Sequence, residues 1–347
     1  MSLAAASSRD NHFNLIRMIA ATGVLVSHAF PISLGPGAGQ PFQQTLQGAA
    51  LGAVSVYVFF AISGYFIAQS FARSDDPWRF VMARILRLFP ALAVVLLLTV
   101  AVSGVWLTTA SPAGFWSAAP AYLARNLTLF SLKPDLPGVF VDNPFGPAIN
   151  GSLWTLNYEV LCYLGVFVAG VAGLLRLGLV VTVIVIAVMA AQAAMPYVTI
   201  PSRLARLVEL GLPFAIGTWL FVWRDRIVLD RRLVAAMALA SVAAWWTPLF
   251  HVVFVTALSY AVFWLGCAPA PRIARYNRLG DYSYGMYIYA FPIQQLIAWH
   301  GVTDPLWNMA LAAPAALACA VASWTLIEAP ALRLKRPARR AAGKLAS

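Results

Sequence analysis

The sequence predicts an all-α, polytopic membrane protein of about ten transmembrane helices with both ends in the cytoplasm. Three observations carry this expectation. Of the 347 residues, 61% are hydrophobic and 10% charged, against about 25% charged in soluble domains, so lipid must cover much of the surface. Apolar runs near the ~20 residues that cross a bilayer recur along the whole chain. The basic residues cluster in alternate connections between those runs.

The runs fall at 13–32, 48–71, 89–109, 152–174, 177–195, 207–222, 233–247, 250–266, 282–299 and 306–327. The seventh is short, and Pro248 could make it and the eighth a broken hairpin. With the first end inside, all but four of the 24 Lys and Arg residues fall on the cytoplasmic side; Arg125, Lys133, Arg203 and Arg206 are the exceptions. An odd number of spans would spoil that alternation. A cytoplasmic segment 1–12, a membrane domain 13–330 and a basic cytoplasmic tail 331–347 follow. The first span has only a loose cleavage-like Ser27-His28-Ala29 and is expected to be retained. The outer segment 111–151 opens with a possible amphipathic helix near 113–129 and then becomes turn-rich. Long connections of this kind are more often functional than idle.

Composition also excludes classes. A net charge of +12 would suit nucleic acid, but its distribution writes topology instead, and no nucleic-acid partner is expected. Cys162, Cys267 and Cys319 sit in apolar runs without disulfide or metal spacing. The four histidines are scattered, so no metal site is expected. No inverted repeat of the kind many transporters show is visible.

Ionisable groups within spans cost about 2.5–3.5 kcal/mol each on insertion scales and are functional candidates by default. Arg17 and His28 lie eleven residues apart on one helix face, Arg17 near the inner surface and His28 in the outer part of the membrane. Glu159 enters its span from outside to a depth close to that of His28. A carboxylate and an imidazole at matching depth could pair and poise a general base. Arg84 and Arg87 share a face beside the cytoplasmic surface, where paired guanidiniums suit a phosphate ligand; the bland alternative is a topology anchor. Ser63 and Tyr65 are polar in hydrocarbon, beside Gly64, in a segment that otherwise reads as helix packing. Glu209 and His251 read as an outer structural pair. Glu328, at the inner end of the last span, could meet an inner arginine.

Taken together, these segments resemble the bacterial membrane-bound acyltransferase-3 family, from Phe13 to Pro330. The marks are Arg17-x10-His28, Phe59-Phe60-x-x-Ser63-Gly64-Tyr65, Arg84-x-x-Arg87-Leu88-x-Pro90 and Ser152-Leu153-Trp154-Thr155-Leu156-x-x-Glu159. Ser283-Tyr284-Gly285-Met286-Tyr287-Ile288-Tyr289 and Glu328-x-Pro330 complete them. The resemblance implies an enzyme transferring acyl groups other than aminoacyl groups, commonly acetyl. The donor it implies is cytoplasmic acyl-coenzyme A, a substrate rather than a resident cofactor. The acceptor it implies is a hydroxyl of a cell-envelope or extracellular glycan or lipid-linked saccharide. It further implies residence in the bacterial cytoplasmic (inner) membrane. Arg17, His28, Arg84 and Arg87 carry over as its functional residues. Ser63 and Tyr65 are added to the donor path, Glu159 to His28 as catalytic partner, and Trp154 and Asn150 to the acceptor mouth. Ala290 stands where relatives often have His. Some relatives add an outer hydrolase-like domain; a basic tail is read here instead, so any second transfer domain is expected to be a separate protein. The rival expectation is a polytopic transporter of a lipid-linked sugar or small solute.

Overall fold

The computed structural model describes residues 3, 11–74, 76–269 and 275–334. The tail beyond 334 and most of the segment 1–12 therefore lie outside the described residues. All regular elements among those residues are helical. The principal ones are α1 (Phe13–Leu34), α2 (Leu51–Ala72), α3 (Pro77–Val102), α4 (Pro112–Thr128), α5 (Trp154–Val171) and α6 (Gly178–Ala194). They continue with α7 (Ser202–Val222), α8 (Arg231–Ala243), α9 (Phe250–Gly266), α10 (Ser283–Trp299) and α11 (Pro305–Ser323).

Helices occupy all ten apolar runs, and the protein is an all-α polytopic membrane protein. Seven of the helices are long and apolar enough to cross a membrane by length and composition, several of them counted with short 3-10 or π extensions. At 1.5 Å per residue, α9 and α10, with 17 residues each, reach about 25 Å. The 13-residue α8 reaches only about 20 Å and packs against α9. Pro248 lies in the turn between the two.

Local chemistry sets the helix starts. Asp76 caps α3 by accepting from the Trp78 amide at 3.0 Å, with Pro77 at the first position. Asp304 caps α11 in the same way. In both, proline gives up an amide that a helix start leaves unpaired, while the carboxylate satisfies the next ones. Ser111 caps α4, the amphipathic helix expected in the 111–151 segment. The turns after it are pinned to α10, where Asn143 Nδ2 donates to the Gln295 carbonyl at 2.9 Å and Gln295 Nε2 donates to the Ala148 carbonyl at 2.6 Å.

The tightest helix pair is α2 with α7. A Cβ on Gly64 would lie 2.0 Å from the Phe214 carbonyl oxygen, and one on Gly217 2.0 Å from that of Ala61. The two backbones therefore touch, as small residues permit in membrane helix packing. Gly217→Val should cost at least the ~1–3 kcal/mol typical of overpacking, because backbone cannot yield as a side chain does. Thermal unfolding in detergent checks this, with Gly165→Ala as control, since no atom lies within 4 Å of a Cβ there. Equal midpoints for the two variants would refute the close crossing.

Candidate active site

Two cavities lie within the helix bundle, and they share three lining residues: Val56 of α2, Thr155 of α5 and Tyr287 of α10. The first, about 440 Å³, is lined by Arg17, Arg84, Arg87, Glu159, Ser63 and Asp281 among others. The second, about 850 Å³, is lined by His28, Trp154, Arg206, Glu209 and His251 among others. Both volumes fall within the ~300–1,000 Å³ of ligand sites. At the shared neck the hydroxyls of Thr155 and Tyr287 lie 2.5 Å apart, and the Tyr287 hydroxyl donates to the Ser152 carbonyl at 2.8 Å. Phe59 packs edge-on against Tyr287, with ring centroids 5.9 Å apart.

The basic chamber is built where α1 and α10 begin and α3 enters the bundle. Arg17 and Arg87 converge on one buried carboxylate. Asp281 Oδ2 lies 2.5 Å from Arg87 Nη2 and 3.4 Å from Arg17 Nη1. Burial alone would raise the Asp281 carboxyl, but the Arg87 and Arg17 guanidiniums, with the Ser283 hydroxyl and amide, outweigh it and hold the group below its ordinary value. Arg87 also reaches Glu328 Oε2 at 3.4 Å, the inner contact the sequence allowed. Glu328 ends a five-residue π-helical segment, Trp324–Glu328, and such segments are frequent at functional sites. The Arg87 guanidinium lies 5.8 Å from the Trp324 ring centroid.

Arg84 differs from its neighbours. Its guanidinium donates to Ser70 Oγ at 3.5 Å and lies 5.9 Å from the Phe80 and Tyr163 ring centroids. It makes no ion pair among the described residues, and its Nε is buried without a hydrogen-bond partner. Three guanidiniums and two carboxylates thus face this chamber, and Arg84 is the one whose charge is least engaged.

In the second chamber His28 packs edge-on against Phe291, at 5.2 Å between ring centroids. Its Nδ1 is buried with no hydrogen-bond partner. Phe145, from the 111–151 segment, also packs against Phe291, at 5.6 Å between ring centroids, and that segment forms part of this chamber's wall.

The structure brings together Arg17, Arg84, Arg87, Ser63 and Glu159, but it corrects the pairing of Glu159 with His28. Glu159 faces the basic chamber, accepting from Ser63 Oγ at 3.3 Å and from the Tyr163 hydroxyl. His28 has no carboxylate partner among the described residues. Tyr65 lines neither cavity; two residues from Ser63 is about 200° around a helix, and its ring packs among Phe66, Phe221 and Phe263. Asn150 also lines neither. Its side chain accepts from the Ser152 amide at 3.2 Å and donates to the Ile288 carbonyl at 2.9 Å, a cap that joins α5 to α10. Trp154 does line the histidine chamber. Ala290 is buried against α1 and α11 residues, not in either cavity.

Sequence reasoning missed Asp281. Its only signal was a position two residues ahead of the Ser283-Tyr284 segment, at the inner end of a span beside three nearby arginines. No group of three or more His, Cys, Asp or Glu suited to a metal occurs among the described residues.

The arrangement defines a multi-pass membrane protein with two adjacent cavities that share three lining residues, one basic and one holding a histidine. Residues 10–328 match the family model described as an acyltransferase domain, and the chain belongs to this acyltransferase-3 family. It is 30% identical over 336 residues to an O-acetyl transferase of Shigella phage Sf6, covering 92% of this chain and 95% of the relative. It is 25% identical over 374 residues to nodulation protein 10 of Rhizobium leguminosarum bv. viciae, covering 95% of each. No solved structure matches it. The protein is thus an acyltransferase, and the transporter alternative loses its ground.

Proposed function

We propose that the protein is an O-acyltransferase, most simply an O-acetyltransferase, that moves an acyl group from cytoplasmic acyl-coenzyme A to a hydroxyl of a cell-envelope or extracellular glycan. One observation carries this reading: the two chambers abut at a neck of Val56, Thr155 and Tyr287, with the arginine cluster on one side and His28 on the other. The bias of basic residues toward alternate connections supports a cytoplasmic position for the arginine chamber in a bacterial inner membrane. The phosphates of the donor would rest on Arg84, Arg87 and Arg17, and its narrow pantetheine arm would pass the neck. A donor this anionic then never crosses the bilayer.

In the histidine chamber the acceptor hydroxyl attacks the thioester carbonyl carbon. Its proton passes to the neutral imidazole of His28, the carbon–sulfur bond breaks, and the coenzyme A thiolate leaves and takes up a proton. His28 suits this role because one imidazole nitrogen is unclaimed by the protein. With no carboxylate to hold it, its orientation rests on the edge contact with Phe291.

Donor binding to the purified protein tests the reading. Acetyl-coenzyme A should bind the wild type. Arg84→Gln should weaken it by about ten- to a hundredfold, the effect of losing one hydrogen bond of ~1.5–3 kcal/mol to a charged group. Arg84 is the cleaner probe, since replacing Arg87 also strips Asp281 and Glu328 of a partner. Lys at 84 should restore binding only in part, supplying charge without the planar fork. Equal dissociation constants in wild type and Arg84→Gln would end the phosphate-clamp reading and leave Arg84 as a topology anchor.

A further inference from the structure

We infer that the wall of the histidine chamber formed by Gln192, Arg206, Glu209 and His251 is a binding subsite for an uncharged sugar ring of the acceptor. This deepens the proposed acyl transfer and rests on it. The sequence alone made Glu209 and His251 a structural pair. The structure instead sets both on the same cavity as His28, with Arg206 and Gln192 beside them.

Three of these four groups are held ready for a ligand. Arg206 and Glu209 are three residues apart on α7 and share a face. The Tyr57 hydroxyl donates to Glu209 Oε1 at 2.6 Å, which fixes the carboxylate while its second oxygen makes no hydrogen bond among the described residues. The Arg206 guanidinium lies 4.7 Å from the Trp154 ring centroid, so its direction is also set. Gln192 Oε1 is buried with no hydrogen-bond partner. A buried amide oxygen left unpaired costs about 1–3 kcal/mol, and a donor from a bound molecule would recover it.

The chemistry of this wall names the ligand class. A carboxylate accepts, a guanidinium donates, and an amide does both, which is the alternation that neighbouring hydroxyls on a ring require. One negative and one positive side chain face the space together, so neither an anionic nor a cationic ligand gains net charge pairing there. An acyl chain would strand all four polar groups. The neutral polyol is what remains.

The experiment uses full-length protein purified in detergent, with acetyl-coenzyme A as donor and release of the coenzyme A thiol as readout. Methyl glycosides of neutral hexoses, of a uronic acid and of an amino sugar are the probes. Neutral glycosides should raise release saturably. In Glu209→Gln and Gln192→Ala the half-saturating glycoside concentration should rise about tenfold or more, with the donor dissociation constant unchanged as the check on folding. Tyr57→Phe, which frees the carboxylate without removing it, should fall between. Unchanged half-saturation in both variants overturns the subsite, as does preference for the uronic acid or the amino sugar. Failure of every glycoside to stimulate a protein that binds acetyl-coenzyme A also overturns it, while sparing the proposed donor chemistry. Wild type that does not bind acetyl-coenzyme A overturns the donor reading and this subsite with it.

Discussion

His28→Ala should lower acyl transfer by about 10²–10⁴-fold, the usual loss when a placed acid–base group is removed, while acetyl-coenzyme A binds as before. The two effects separate because His28 and the arginines line different chambers that meet only at Val56, Thr155 and Tyr287. His28→Asn discriminates further. Asn keeps a polar group near the imidazole's place but takes up no proton, so it should be as slow as Ala. The measurement is a donor dissociation constant beside single-turnover transfer to a glycan acceptor in the same preparation. Turnover within tenfold of wild type in either variant would take His28 out of the chemistry. Loss of donor binding would instead mean that the chambers are not separate.

The fold was legible in the sequence because hydropathy and basic-residue bias report directly on burial in lipid, and every apolar run became a helix. The arginine site was legible for the same reason. Arg17 on α1 and Arg84 and Arg87 on α3 lie at the same end of their helices, and two helices converging there must bring those ends together. The pairing of His28 with Glu159 failed because depth is only one coordinate of a helical residue. Azimuth is the other, and it depends on neighbours that a single sequence does not reveal. Glu159 turns toward Ser63 on α2, and Tyr163, one turn further along the same helix, reaches back to it. The same geometry separates Ser63 from Tyr65, since residues two apart on a helix face nearly opposite ways. Glu209 was underrated because its spacing from His251 gives no motif; only the cavity shows that the two line the same chamber as His28. Asp281 escaped because a carboxylate at a span's end resembles an ordinary loop residue until two guanidiniums are found on it.

That carboxylate gives the second large effect, and its two consequences have opposite signs. Asp281 is 9% exposed as a residue and touches both Arg87 and Arg17. Removing one partner of a buried ion pair costs about 3–5 kcal/mol, because the remaining charges stay buried without compensation. Asp281→Asn should therefore lower stability by about that much, read as a fall in the unfolding midpoint in detergent. The folded-state pKa of Asp281 is depressed, so its contribution is fully present above the unfolded carboxylate value and is lost only as pH falls through the lower folded one. The gap between wild type and variant should accordingly be constant from about pH 5 to about pH 8 and close only in stronger acid. Donor binding should move the other way. Without Asp281 the chamber keeps three guanidiniums, and Arg17 and Arg87 lose a competitor for phosphate, so folded variant should bind acetyl-coenzyme A at least as tightly as wild type. Saturating donor should then recover part of the lost stability, since a ligand that binds only the folded state shifts the equilibrium toward it. Weaker donor binding together with lower stability would show instead that Asp281 orients the arginines for the donor, and that their charge without its hold is of little use.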